Sequence, residues 1–308
     1  MSYLQEIVRR FPIRKSREQK DAFLKYAVAE AKRLGYAACV SEDGKHRNFV
    51  AGDPENAAVL FTAHYDTPAN MFLPNLIIPR NLPLFFGYQL LIIVLLLLLC
   101  GTLAFGVLRL TGGGPAALIV FFITYYALLL GLIMGPANRN NVNDNTSGVA
   151  AVLRLMETLP AENRVLAAFV LFDDEEKGRL GSKAFAVRRP QVKKGTLVFN
   201  MDCVGIGDHL LIIGKNYARL LPDYALLQQS FQPVDGILPH FYPSTGSTMN
   251  SDHRAFRRGV GCVACKRAPV VGYYTPHIHT RRDTEASERN IEYLARSLRG
   301  FVKALSEV

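Results

Sequence analysis

The sequence predicts an α/β protein, a sandwich of helices around a mostly parallel sheet, interrupted by a two-helix transmembrane hairpin. Two observations carry this. Short apolar runs of strand character alternate with helical runs along most of the 308 residues, as crossover-connected parallel strands require. Residues 81–138 break the pattern: these 58 positions hold no acid and one base, Arg109, and 40 of them are hydrophobic. The rest has ordinary soluble composition, with 35 Lys and Arg against 26 Asp and Glu. Disorder and collagen-like repeats are therefore excluded. So is a disulfide-stapled miniature, because the five cysteines are odd in number and scattered, as in a reducing compartment.

The first residues are polar and basic with no apolar core, so no secretory signal peptide is expected there. Residues 16–35 read as a helix capped by Ser16 and stopped at Gly35. Residues 57–63 (AAVLFTA) read as a buried strand. Two charge-free runs follow, residues 90–108 and residues 112–138, the second centred on 116–134. Each meets the ~20 residues a helix needs to cross a ~30 Å hydrocarbon layer. The turn Arg109-Leu-Thr-Gly-Gly-Gly-Pro115 makes the pair a hairpin, which returns the chain to the side it left. Residues 1–80 and 139–308 then form one discontinuous domain, with 81–138 as the hairpin. Arg80 and Arg139 bracket the hairpin and Arg109 alone marks its far turn, so the large domain is expected in the cytoplasm. Beside such a hairpin, the net charge of +10 reads as attraction to anionic lipid rather than to nucleic acid.

Beyond the hairpin, residues 147–159 read as a helix stopped by Pro160, and 164–172, 196–201 and 209–213 as strands. A helix over 221–231, a strand over 260–266 and a closing helix over 287–308 complete the pattern. Cys262 and Cys265 have CxxC spacing, but without a second pair and within a strand run they read as packing residues.

The polar residues of interest stand where strands end, which is where ligands collect in such sheets. The strand over 57–63 runs into His64-Tyr-Asp66, that over 164–172 into Asp173-Asp174-Glu175-Glu176, and that over 196–201 into Asp202. Asp144 precedes the helix near Ser147, and His277-Ile-His279-Thr-Arg-Arg-Asp283-Thr lies near the end. So many carboxylates with two imidazoles would repel one another unless cations neutralise them. Mixed His, Asp and Glu ligation suits zinc, or cobalt and manganese less selectively. Taken singly, Asp144 could be a helix cap, Asp202 a turn residue and Glu175-Glu176 a solvated turn. Asp173 and Asp174 read as such a turn or as orienting groups, His253 as a wall or structural residue, and His277 as the lesser candidate beside His279.

Together the motifs resemble the di-zinc exopeptidase family that includes bacterial leucyl aminopeptidases, aminopeptidase Y, glutamate carboxypeptidase and glutaminyl cyclase. The resemblance covers residues 57–66 and 143 to the C-terminus, with the hairpin as an insertion. Its most specific piece is Glu175-Glu176-Lys-Gly178-Arg-Leu-Gly181-Ser182; the others are His64-x-Asp66, Asp144 before Ser-Gly, Asn200-Met-Asp202, Ser251-Asp-His253 and His279-Thr-x-x-Asp283-Thr. The resemblance implies a three-layer α/β/α sandwich around a mixed, mostly parallel sheet of the zinc exopeptidase kind. It implies that His64 and Asp202 bind one Zn2+, that Glu176 and His279 bind a second, and that Asp144 bridges them. Glu175 would be the general base for a metal-bridging hydroxide, and Asp66 would orient the His64 ring. The implied activity is a membrane-anchored aminopeptidase acting on peptides with a free N-terminus. A carboxypeptidase, with Arg281 or Arg282 holding the substrate carboxylate, a glutaminyl cyclase and a non-enzymatic membrane scaffold are the alternatives. Two departures stand out: 77 residues separate Asp66 from Asp144, where the family has a short loop, and Gly259-Val-Gly-Cys262 replaces a Gly-Ile-Pro type run. Because only ten residues lead from Met134 to Asp144, at most ~35 Å of chain, the site is expected to face or skirt the membrane.

Overall fold

The computed structural model describes residues 1–71 and 75–308. Helix α1 (Tyr3–Arg10) leads to α2 (Arg17–Arg33), which opens on a capping box: Ser16 Oγ accepts from Gln19 N, and the Gln19 side chain accepts from Ser16 N. Strands β1 (Ala38–Asp43) and β2 (His46–Ala51) form an antiparallel hairpin that the sequence pattern did not announce. Then come β3 (Val59–His64), the long helices α3 (Leu82–Thr111) and α4 (Gly114–Met134), and α5 (Gly148–Thr158), entered through one wide turn at Val142–Ser147. Next are β4 (Ala167–Phe172), α6 (Leu180–Arg188), α7 (Pro190–Gly195), β5 (Leu197–Met201) and β6 (His209–Gly214). The chain closes with α8 (Asn216–Arg219), α9 (Pro222–Ser230), β7 (Leu238–Pro243), β8 (Gly259–Ala268), β9 (Gly272–Tyr274) and α10 (Glu288–Ser306).

The strands form one mixed sheet in the order β1-β2-β4-β3-β5-β8-β6-β7, with β9 paired to β8. Its centre, β4-β3-β5-β8, is parallel, and β2 and β6 join it antiparallel. Successive side chains of a strand point to opposite faces, and the core divides accordingly. Phe61, Phe169 and Phe199 pack with α1, α2, α5, α9 and α10 on one face; Leu60, Val170 and Val198 pack with Phe185, Val192 and Phe256 on the other. The three-layer α/β/α sandwich follows from that division. Parallel register sets the functional edge: His64 pairs with Phe172, the last residue of β4, and Met201 pairs with Cys262. The residues after β3, β4 and β5 therefore emerge together at one end of the sheet.

Helices α3 and α4 pack on each other and are long and apolar enough to cross a membrane. They are not core helices. Leu90 and Leu98 are each 61% exposed and Ile123 64%, whereas burying a side chain of this kind is worth ~1.5–3 kcal/mol. An apolar surface of that extent is not left to water.

Candidate metal centre

The five expected ligands converge. The His64 ring, buried at the end of β3, has Nε2 3.3 Å from Asp144 Oδ1 and 3.6 Å from Asp202 Oδ1. On the other side of Asp144, His279 Nε2 lies 2.9 Å from Asp144 Oδ2 and 3.3 Å from Glu176 Oε2. Two donor trios result, His64–Asp144–Asp202 and Asp144–Glu176–His279, each with its donor atoms within 4.8 Å of one another. They share Asp144. Glu175 joins His64 and Glu176 in a third set of the same size, and so sits beside both trios. Asp66 is behind them, its Oδ1 3.5 Å from His64 Nδ1.

Backbone chemistry holds these side chains in place. The Asp66 carboxylate accepts from Glu175 N at 3.0 Å and Glu176 N at 3.2 Å, so the acid beside the His64 ring also fixes the turn carrying the two glutamates. That turn needs its glycines. Gly178 has φ +97°, which few other residues adopt, and a Cβ at Gly181 would strike the Asp173 backbone where α6 starts. Asp283 accepts from Asn143 N (2.9 Å) and Asp144 N (3.0 Å) and so fixes the shared carboxylate from behind. Asn145 joins the loops of Asp144 and Asp202: Nδ2 donates to Met201 O and Oδ1 accepts from Cys203 N. The Asp144–Asn145 peptide is cis.

Sequence reasoning missed Arg14, which is fully buried. It donates to Tyr65 O, Phe11 O, Asn141 Oδ1 and Thr146 Oγ1, and so clamps the flanks of both His64 and Asp144. Its partners lie as far as 132 residues away, so no local signal could have revealed it. Also missed was Asp252, buried near Glu175; it stands in the Ser251-Asp-His253 motif, which was the available signal.

The site is electrostatically frustrated. Burial pushes Glu175 well above the usual carboxylate range and Glu176 up to about 8, with neighbouring acids adding to both. Burial likewise pushes Asp252 up to about 7, and burial with the nearby Asp144 pushes Asp283 up to about 7. Burial opposes charge on the two imidazoles, but the surrounding carboxylates outweigh it, holding His64 well above its ordinary value and His279 at about 9. Asp144 is raised by burial, but its bonds to His279 and His64 outweigh that and hold it well below the usual range. A cation relieves such a cluster directly. Glu176 Oε1 is buried without a hydrogen-bond partner, an arrangement that costs ~1–3 kcal/mol, and mixed His and carboxylate donors suit zinc. The donor set therefore fits divalent cations at both trios.

Neighbouring groups sort differently. His46, Asp173 and Asp174 also form a trio, but Lys20 Nζ sits 2.5 Å from Asp173 and 2.7 Å from Asp174 and already neutralises it. Asp173 and Asp174 are thus buried and paired, not a solvated turn. His277 is exposed and belongs to no donor trio among the described residues. His253 is buried outside the trios, and its pKa is pulled down to about 3 by burial. Cys262 and Cys265 are buried in β8 on opposite faces of the strand, as packing residues are. Arg281 and Arg282 are exposed. Tyr242 and Tyr273 meet each other, Oη to Oη at 3.5 Å, while Tyr274 lines a neighbouring cavity.

The model of Peptidase family M28 matches residues 132–300. No curated protein matches the chain. Among solved structures, a Zn-dependent exopeptidase from Parabacteroides distasonis is similar with TM-score 0.62 and 15% identity, over 97% of this chain and 95% of that one. Glutaminyl cyclase from Porphyromonas gingivalis follows with TM-score 0.59 and 15% identity, over 98% of this chain and 96% of that one. The LapA aminopeptidase of Legionella pneumophila has TM-score 0.58 and 12% identity, over 99% of this chain and 70% of that one. At these identities the likeness is one of fold.

Proposed function

The chain belongs to peptidase family M28, and from that premise we propose that it is a zinc-dependent aminopeptidase anchored in a membrane by residues 81–138, with residues 1–80 and 139–308 as its catalytic unit. The observation that carries the proposal is the pair of donor trios sharing Asp144, with the Glu175 carboxyl left over beside them. His64 and Asp202 would hold one cation and Glu176 and His279 the other, with Asp144 common to both. When bound, such a pair supplies a water of lowered pKa and a polarised peptide carbonyl. Glu175 takes a proton from the attacking water and returns it to the departing amine. Asp66 keeps the His64 ring in one orientation and one tautomer, and through the Glu175 and Glu176 amides it ties the base to the same frame.

Cyclisation of N-terminal glutamine needs one cation only, so the double set favours hydrolysis. A carboxypeptidase would need Arg281 or Arg282 to engage a substrate carboxylate. For orientation, Arg80 and Arg139 at the hairpin ends against Arg109 at its far turn favour a cytoplasmic catalytic unit.

The deciding experiment is hydrolysis of a peptide library in free-amine and N-blocked forms, with glutamine-initiated members, with and without a chelator. Release of N-terminal residues from free-amine peptides only, abolished by chelation and restored by zinc, is expected. Shortening from the C-terminus, or pyroglutamate formation without hydrolysis, overturns the proposal.

A further inference from the structure

We propose that this site works at the bilayer surface, and that its substrates are membrane-inserted or membrane-partitioned peptides whose free N-termini project only a few residues from the lipid. The proposal rests on the exopeptidase reading above and on a bilayer around α3 and α4. It goes further by fixing the height of the site above the membrane and, with it, the class of peptide that can enter.

The first observation is that the hairpin walls the site. Asp202 lines a cavity of about 220 Å³ together with Phe85 and Gln89, from the first two turns of α3. On the other flank, Met71 has its sulfur 3.3 Å from His279 Nδ1 and lines a cavity of about 810 Å³ that is mostly apolar. Leu76, Tyr274 and, again from α3, Tyr88 share that lining. Three residues of one helix start therefore border the spaces beside ligands of both trios.

The second observation places the lipid. Directly after Gln89, the residues from Leu90 to Leu99 are all apolar, and eight of the ten are more than about a third exposed. Consecutive exposed residues cover most of a helix circumference, which suits a surrounding solvent of hydrocarbon rather than a partner seated on one stripe. Residues 90–108 rise about 28 Å at 1.5 Å per residue, the thickness of a hydrocarbon layer. The bilayer surface then passes close to Gln89, a residue of the cavity wall. Arg139, Arg281 and Arg282, all exposed beside this end of the hairpin, suit anionic head groups.

The third observation is that the hairpin is fastened, not tethered. At its start, Asn81 Nδ2 donates to Val270 O and Val271 O, and Arg80 donates to Gly246 O and stacks on Tyr242. At its end, Lys15 Nζ donates to Gly135 O, Asn70 N to Pro136 O and Asn138 N to Pro68 O. Asn138 and Asn140 side chains donate to Thr280 O and Arg281 O, in the loop of His279. A simple anchor needs none of these bonds, which hold the site at one height above the lipid.

The test uses the full chain in vesicles of phosphatidylethanolamine and phosphatidylglycerol, with the catalytic unit on the outer face. Three peptides share one N-terminal tetrapeptide: a soluble form, and two forms anchored by a C-terminal apolar helix through a Gly/Ser spacer of about 3 or about 20 residues, their N-termini outside. The short spacer reaches at most ~10 Å. The short-spacer peptide is expected to lose its first residue at least as fast as the long-spacer one, and about tenfold or more faster than the soluble peptide at equal total concentration. If the short-spacer peptide stays intact while the other two are trimmed, the site is remote from the lipid; this proposal then falls and the exopeptidase reading stands. If none of the three is trimmed with zinc present, both fall.

Discussion

Glu175 lies outside the two trios that share Asp144, in a set with His64 and Glu176, and that placement sets its expected behaviour. Glu175→Gln keeps shape and removes the proton acceptor, so turnover should fall by about 10²–10⁴. Zinc content, measured on the same preparation, should be unchanged; turnover within threefold of the parent would remove Glu175 from the base role. Lys20 offers a prediction on stability. Its ammonium is the buried partner of both Asp173 and Asp174, and the side chains are at most about a tenth exposed. Lys20→Met leaves those charges facing each other and should cost ~3–5 kcal/mol in denaturant unfolding; a loss under 1 kcal/mol would show that His46, Lys177 and the turn suffice. At this scale the sequence was most informative, because a candidate ligand set is carried by residue types at strand ends. His64, Asp66, Asp144, Glu175, Glu176, Asp202 and His279 were all visible there. Arg14, Lys20 and Asn145 were not. Each acts through contacts that only the folded chain creates: Lys20 reaches Asp173 across 153 positions.

The elements that could be anticipated are those whose side chains obey one environment. β3, β4 and β5 are wholly buried and read as apolar runs, and α10 is amphipathic. β1 and β2 escaped notice because only half of their residues (ACVSED and HRNFVA) are apolar, without a sustained run or alternation, and β1 is an edge strand, although Asp43-Gly44 at their junction is a turn signal. α3 is longer than its apolar run: Asn81 caps it and Pro83 opens it, adding about two turns of mixed character that border the candidate site. The hairpin yields its own prediction. Leu98→Arg puts a charge near the middle of α3, at ~2.5–3.5 kcal/mol against insertion. The parent chain should remain with membranes after alkaline carbonate extraction and the variant should be released in part. Release of the parent would contradict a spanning hairpin.

For the whole molecule, alternation of strands and helices announced an α/β sandwich, but not the order of its strands. That order depends on pairings between distant segments, such as β8 between β5 and β6, which no local pattern encodes. A spanning hairpin would put the residues before and after it on one side and the turn at 112–113 on the other. Cys39, an exposed free thiol, and a Gly113→Cys variant should react with an impermeant reagent from opposite sides, Cys39 only in inside-out vesicles. Labelling of both sites from the same side would refute the hairpin topology. The central claim, that the carboxylates and imidazoles of distant segments hold a pair of cations around Asp144, is tested most directly by anomalous diffraction at the zinc edge from the full chain crystallised with zinc. Two peaks about 3.5–4 Å apart are predicted, one among His64, Asp144 and Asp202, the other among Asp144, Glu176 and His279. A single peak, or none at these side chains, would contradict it.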